Sequence, residues 1–229
     1  MVSTPRKRRW RAAFFVLAGV GILGAVAWAL LGSRFLVVRV ITVSGTHLVS
    51  QAQVIAAADV PAGTPLIRVD PAQVAARVEG ITQVASAQVS KQWPDGLAIT
   101  VRERVPVMSV PMAGRYDLVD HDGVIVRYAA ARPATMPVLQ TTVPGAELRG
   151  NPGVATVAEV LTGLPPWLSR QVSSVAVSGP AVTLYLTGSR TVVWGGPDRA
   201  EVKAHELTIL MRDPARYFDV SAPGTVVTR

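Results

Sequence analysis

The sequence predicts an α+β ectodomain that follows one N-terminal transmembrane helix, and three observations predict it. Residues 12–32, AAFFVLAGVGILGAVAWALLG, carry no charge; as a helix rising 1.5 Å per residue they reach roughly 30 Å, the thickness of a bilayer core. Residues 35–104 read in the order strand, helix, helix, strand, strand, an arrangement in which two helices cover one face of a three-stranded sheet. Residues 105–229 alternate short β-branched runs with Gly, Pro and Ser turns and end in one amphipathic helix and a last extended stretch, the pattern of a mostly antiparallel β-domain with a C-terminal helix and a final strand. The expected divisions are a basic cytoplasmic tail at 1–11, a membrane anchor at 12–32, a first domain at 35–104 and a second at 105–229.

Arg6, Lys7, Arg8, Arg9 and Arg11 precede the apolar run, and only Arg34 follows it closely. Lysine and arginine stay on the cytoplasmic side, so the N-terminus is expected inside and the remaining chain outside. Trp10 and Trp28 stand near the two ends, where indole rings favour the headgroup region. Ala25-Val26-Ala27 resembles a signal-peptidase site, but signal h-regions span roughly 7–15 residues, and this run continues to Leu31. An uncleaved signal anchor is the reading. Gly19 to Gly24 fits the letters G-x-G-x-x-G without a preceding strand or a βαβ unit, and so carries no nucleotide site. Gly21 and Ala25 stand at small-xxx-small spacing, which suits a helix contact and equally suits generic lipid packing.

The formal charge of +8 invites a nucleic-acid partner, and its distribution argues against one. Six of the 23 lysines and arginines lie in residues 1–34 with no acid among them, which leaves 17 basic against 15 acidic residues beyond. The high isoelectric point therefore belongs to the tail, where it sets topology and suits contact with anionic lipid; no nucleic acid is expected. The chain has no cysteine, so outside the membrane it folds by burial alone, without disulfides, thiolate nucleophiles or Cys-based metal sites.

In chain order, residues 35–43 are nearly continuous β-branched, a buried strand ended by Ser44-Gly45-Thr46. Ser50 and Gln53 form a capping box, and Val49 and Val54 a hydrophobic staple, for a helix to about Ala58. Pro61 to Pro65 breaks it. Asp70 then caps a second helix with Pro71 at its first position and Val69 and Val74 as staple; Gly80 stops it. Residues 81–91 and 97–104 are extended, joined at Trp93-Pro94-Asp95-Gly96, where Asp-Gly supports the positive φ angles of a tight hairpin. Alternation places Leu97, Ile99 and Val101 on one face and Thr100, Arg102 and Arg104 on the other.

Beyond residue 104, Val105-Pro106-Val107 continues the last strand, and residues 116–126 read as two strands around a turn with Gly123 left-handed. Asp120-His121-Asp122 has the residue types of a metal site, but no further ligand lies near in sequence, and turn chemistry accounts for it. A Pro- and Ala-rich connection runs through Met136 to Leu139. Asn151 caps a helix to about Leu161 with Pro152 at its first position. Residues 172–178, 181–187 and 190–194 are strands. Asp198 opens the last helix with Glu201 in the capping-box position, and Ala200, Ala204, Leu207 and Met211 form its apolar stripe.

The pieces V-x-V-S-G-x near residue 43, G-T-P-L-I-R-V-D at 63–70, V-A-S-A-Q-V at 84–89 and W-P-D-G-L-A-I-T-V-R-E-R at 93–104 follow a single anchor in that order. Together they resemble the POTRA domain (β-α-α-β-β) of the FtsQ/DivIB family of bacterial cell-division proteins. The W-G-x-P-D start of the last helix and the later D-V-S-A-P resemble the end of the FtsQ β-domain, so the likeness covers nearly the whole chain. It implies a bitopic divisome scaffold at the division septum that binds FtsB and FtsL and helps recruit and regulate septal peptidoglycan synthesis. It also implies other divisome contacts through the POTRA and transmembrane segments. The route it implies is strand addition, in which backbone hydrogen bonds supply much of the affinity.

Carried over by position, the partner edge comprises Asp219, Val220, Ser221, Ala222, Thr225, Val226 and Val227. The sequence departs from the family there: Ala222, Pro223 and Gly224 stand where an aromatic and polar residues are common, and Pro223 lacks an N–H. Tyr217 and Phe218 are core or contact residues. Thr100 and Arg102 mark a second candidate face on the POTRA sheet, against the plainer reading of a solvated face. No catalytic set appears: His47, His121 and His205 have unrelated settings, and phosphate loop, G-x-S-x-G and zinc spacings are missing. A non-enzyme without cofactor is expected. The rival readings are a membrane-anchored cell-wall enzyme or sensor domain, and a POTRA module of an outer-membrane translocation protein, which would need barrel strands that do not follow.

Overall fold

The structure, a computed structural model, describes residues 10, 14–25, 36–222, 224 and 227–228. Most of the basic tail, both ends of the predicted anchor, Pro223, Thr225, Val226 and Arg229 lie outside the described residues. Residues 14–25 are helical. Among the described residues no helix is long and apolar enough to cross a membrane. The chain divides into two units, Met1–Glu103 and Arg104–Arg229.

In the first unit, β1 (Val40–Ser44), α1 (Gln51–Ala58), α2 (Pro71–Glu79), β2 (Val84–Gln92) and β3 (Gly96–Glu103) follow the expected order. The sheet runs β1-β3-β2, with β1 parallel and β2 antiparallel to β3. The caps form as the sequence dictates. Ser50 Oγ accepts from the Gln53 amide at 3.2 Å, and Gln53 Oε1 accepts from the Ser50 amide at 2.9 Å. Val49 and Val54 are both buried as the staple requires. The Asp70 carboxylate accepts from the amides of Ala72 and Gln73. Val54, Leu66, Val74, Val78, Val84, Leu97 and Ile99 form the core between helices and sheet. Gly45 has φ +81, and a Cβ there would overlap the Val101 carbonyl, so glycine is required on both counts.

Three expectations shift. The first strand begins at Val40; Val37 makes only an isolated bridge to Pro65. Residues 81–83 turn before β2 starts. The hairpin at 93–96 uses no positive φ at Asp95 or Gly96, and its Trp93–Pro94 peptide is cis. Gly96 instead answers close packing, because a Cβ there would come within 3.0 Å of the Gln92 backbone oxygen.

The second unit holds one nine-stranded sheet. Its strands are β4 (Met108–Met112), β5 (Arg115–Val119), β6 (Ile125–Ala129), β7 (Val138–Gln140), β8 (Val172–Ser178), β9 (Ala181–Leu186), β10 (Arg190–Gly195), β11 (Tyr217–Asp219) and β12 (Val227–Thr228), in the order β12-β11-β10-β9-β8-β7-β4-β5-β6. Helices α3 (Pro152–Gly163), α4 (Pro166–Ser169) and α5 (Ala200–Leu210) complete it. Five of the eight pairings are antiparallel; β4–β7, β7–β8 and β10–β11 are parallel. Asn151 caps α3 through the amides of Gly153 and Val154, and α3 buries Val154, Val157, Ala158, Val160 and Leu161 over β8 and β9.

The stretch expected as a Pro- and Ala-rich connection supplies β7, the strand that joins the two antiparallel groups into one sheet. Three residues are too few for periodicity to register, yet Leu139 is fully buried at the centre. Strand β4 and helix α4 were likewise not anticipated. The capping box expected at Asp198 does not form. Arg199 occupies the cap position in the left-handed region (φ 51) with no side-chain cap, so the helix starts one residue later than the pattern assumes.

Candidate partner-binding edge

Strand β11 lies parallel to β10 and delivers Phe218 to the core, and Val220, the residue after the strand, is fully buried as well. The Val220 amide donates to the Val193 carbonyl at 3.0 Å. The Asp219 carboxylate accepts from the Ser221 amide at 3.0 Å and from its hydroxyl at 2.7 Å, an Asx turn that bends the chain out of the strand. The Gly224 amide then donates to Glu206 Oε1 at 3.1 Å, tying the return to α5. Strand β12 comes back antiparallel, pairing Val227 with Asp219 and Thr228 with Phe218. Among the described residues, β12 and β6 are the two ends of the sheet.

The seven residues carried over by position therefore differ in setting. Ser221 and Ala222 are exposed and Asp219 is half-buried. Val220 is fully buried, and its amide is already bonded to Val193. Asp219 already has β12 across from it, so the terminal strand is Val227–Thr228. Thr225 and Val226 lie outside the described residues. Tyr217 is half-buried and Phe218 is core.

Ser221 and Ala222 also line a cleft of about 290 Å³ with Asp198, Arg199 and Lys203. Lys203 is only 2% exposed; its ammonium donates to the Gly196 carbonyl at 2.9 Å and stands 5.8 Å from the centre of the Trp194 ring. Burial lowers its pKa, with Asp198 opposing and Arg199 reinforcing the shift. Sequence reasoning passed over this lysine, although a signal was present. It lies three residues after Ala200 and four before Leu207, on the apolar stripe of α5.

Thr100 and Arg102 are exposed on the sheet face opposite Leu97, Ile99 and Val101, and Thr100 Oγ1 accepts from the Ser44 hydroxyl at 3.3 Å. Arg104, expected on the same solvent row, is instead only 13% exposed and donates to Asp120 at 2.6 Å and to Asp122 at 2.8 Å. That pairing accounts for the Asp120-His121-Asp122 trio. Its ligand atoms do lie within 4.8 Å of one another. However, the buried Asp120 carboxylate already accepts from the amides of Asp122 and Val124 and from Arg104. Hydrogen bonding to Arg104 is the main cause that holds the Asp122 carboxyl below the usual carboxylate range. Gly123, at φ +76, closes the turn.

A β-α-α-β-β unit with parallel outer pairing, joined to a mixed β-domain, defines the class: a POTRA module followed by a second, larger sheet domain. Comparison with known proteins supplies the family. Residues 36–104 match the FtsQ-type POTRA domain, and residues 110–221 match the C-terminal domain of cell division protein FtsQ/DivIB. Cell division protein FtsQ of Streptomyces collinus is 35% identical over 96% of this chain and 91% of its own length. That of Mycobacterium tuberculosis is 39% identical over 91% of this chain and 65% of its own length; that of Mycobacteroides abscessus is 39% identical over 81% and 59%. The chain thus spans less than two-thirds of the mycobacterial relatives' length. The extracytoplasmic domain of DivIB from Geobacillus stearothermophilus matches with a TM-score of 0.35 and 16% identity, over 43% of this chain and 84% of that one; a likeness at that level decides nothing further. The chain belongs to the FtsQ/DivIB family of cell division proteins. These are non-enzymatic division proteins, which sets aside the cell-wall enzyme.

Proposed function

We propose that this chain is a bitopic scaffold of the divisome, anchored through residues 12–32 with its N-terminus in the cytoplasm and residues 35–104 and 105–229 as its extracytoplasmic domains. On this reading it sits at the division septum, captures FtsB and FtsL, and so helps recruit and regulate septal peptidoglycan synthesis. The observation that most supports it is the end of the nine-stranded sheet: β12 pairs with β11 on one side, and a terminal strand with one unpaired row of N–H and C=O groups accepts another chain by strand addition. Asp219, Val220, Ser221 and Ala222 flank that edge and Val227 belongs to it, with Thr225 and Val226 included by their place in the sequence; Thr100 and Arg102 form a secondary POTRA face for another divisome protein.

The test is capture of FtsB by the full chain in membranes. Val227→Pro and Thr228→Pro are made separately, since only one of two successive strand amides faces outward. The proline that removes the outward amide is expected to abolish capture while the melting temperature stays at the wild-type value. Wild-type capture by both variants would overturn the edge assignment.

A further inference from the structure

One end of the POTRA unit is assembled from three segments that backbone hydrogen bonds hold together. The Leu66 amide donates to the Leu36 carbonyl at 2.9 Å, and the Val38 amide to Thr64 at 2.9 Å. The amides of Arg39 and Val40 donate to the Asp95 carbonyl at 2.9 and 3.3 Å. The Lys91 ammonium donates to the Ile67 carbonyl at 3.2 Å. Residues 36–40, the 63–68 loop and the tip of the β2–β3 hairpin therefore share this end.

Its surface is unusual for a solvated pole. Val40 is 55% exposed, Ile67 53% and Trp93 55%. Arg39 and Arg68 are exposed beside them, and Lys91 is half-buried. Asp70 and Asp95 are the acids of residues 63–70 and 91–96. Asp70 has its carboxylate engaged by the amides of Ala72 and Gln73. Single exposed apolar residues need no explanation. A tryptophan, an isoleucine and a valine among three cations at one pole have the composition of a membrane-interface surface, where indole rings and basic side chains both partition favourably.

The position of this end agrees with its composition. Three residues separate Gly32, the last of the apolar run, from Leu36. Fully extended, that tether reaches about 14 Å, while the headgroup layer adds roughly 5–8 Å to each side of the core. We propose that this end of the POTRA unit rests on the extracytoplasmic leaflet. Val40, Ile67 and Trp93 enter the headgroup–acyl boundary, and Arg39, Arg68 and Lys91 meet the phosphates of anionic phospholipid. The inference rests on residues 12–32 being the membrane anchor.

The chain has no cysteine, so single cysteines can be labelled cleanly. The whole chain is placed in phosphatidylcholine vesicles with or without phosphatidylglycerol, carrying a fluorophore at Ile67→Cys, Gln92→Cys or Trp93→Cys. Thr100→Cys serves as the solvent control and Ala25→Cys as the anchor control. Labels at 67, 92 and 93 are expected to be quenched by brominated lipid several-fold more than at 100, and shielded from aqueous iodide. Adding Arg68→Glu is expected to reduce that shielding in the phosphatidylglycerol vesicles. Labels at 67, 92 and 93 that behave like the label at 100, with lipid quenching at 25 intact, would overturn the proposal and leave the anchor standing. Loss of lipid quenching at 25 would remove the anchor and the proposal with it.

Discussion

Glu103, the last residue of β3, gathers three backbone amides. It accepts from His47 at 2.7 Å, from Leu48 at 2.8 Å and from Val49 at 2.9 Å, and its side chain is 10% exposed. Burial alone would raise its carboxyl pKa; the amides of Val49, His47 and Leu48, with the nearby His47 ring, outweigh burial and lower it. A depressed pKa in the folded state contributes stability that is fully present above the ordinary glutamate range and is lost as pH falls through the lowered value. Glu103→Gln removes the charge while preserving shape. It is expected to destabilise the protein by about 1–2 kcal/mol at neutral pH, and the difference should shrink toward zero below about pH 4. Urea unfolding of both forms across that range checks the sign. The capping residues Ser50, Asp70 and Asn151 were legible because a cap is local: donor and acceptor lie within three residues. The partners of Glu103 and Arg104 were not, because each lies 16 or more residues away.

At the scale of elements, long periodic segments announced themselves and short ones did not. Helices α1, α2 and α3 start where the caps place them. Strands β8, β9 and β10 fall within a residue of the turns that bound them. Strand β7 is three residues long after a proline, and no local signal separates it from a connection. Its sheet role comes from parallel neighbours on both sides, β4 and β8, which lie far from it in sequence. Leu139 is the fully buried residue of β7 and belongs to the one core that both halves of the sheet share. Leu139→Ala is expected to cost about 2–5 kcal/mol, read as a lowered urea midpoint with an unchanged slope. A near-neutral result would mean that β7 is peripheral to the fold.

At the scale of the whole molecule, the end of the larger sheet sets a core residue beside a surface residue, which lets folding be told from the FtsB capture proposed above. Val220 and Ala222 stand two residues apart, one fully buried and one exposed. Val220→Asp places a carboxylate in the core and is expected to unfold the sheet end, so loss of FtsB capture in that variant reports folding. Ala222→Asp is expected to leave stability within about 0.5 kcal/mol and to weaken capture beside the β12 edge. Thermal melts run alongside pull-down from membranes distinguish the two, and an Ala222→Asp protein that folds and binds as wild type would move the contact elsewhere on the edge.

The sequence by itself determined the α+β class, the anchor-like run with its basic flank, the β-α-α-β-β order, the helix starts at Ser50, Asp70 and Asn151, and the family. All but the family are written in local periodicity, caps and turn chemistry, whose physical range is a few residues; the family rests on the likeness of the motifs near 43, at 63–70, at 84–89 and at 93–104. Only the tertiary structure decided which strands meet across long separations: β7 between β4 and β8, β11 beside β10, and β12 folded back as the last strand. It also decided that Val220 is core, that Lys203 is buried, and that Arg104 belongs to Asp120. The reason is that burial and strand pairing depend on which distant segment arrives on the other side, and side-chain patterning along one segment carries no record of its neighbour.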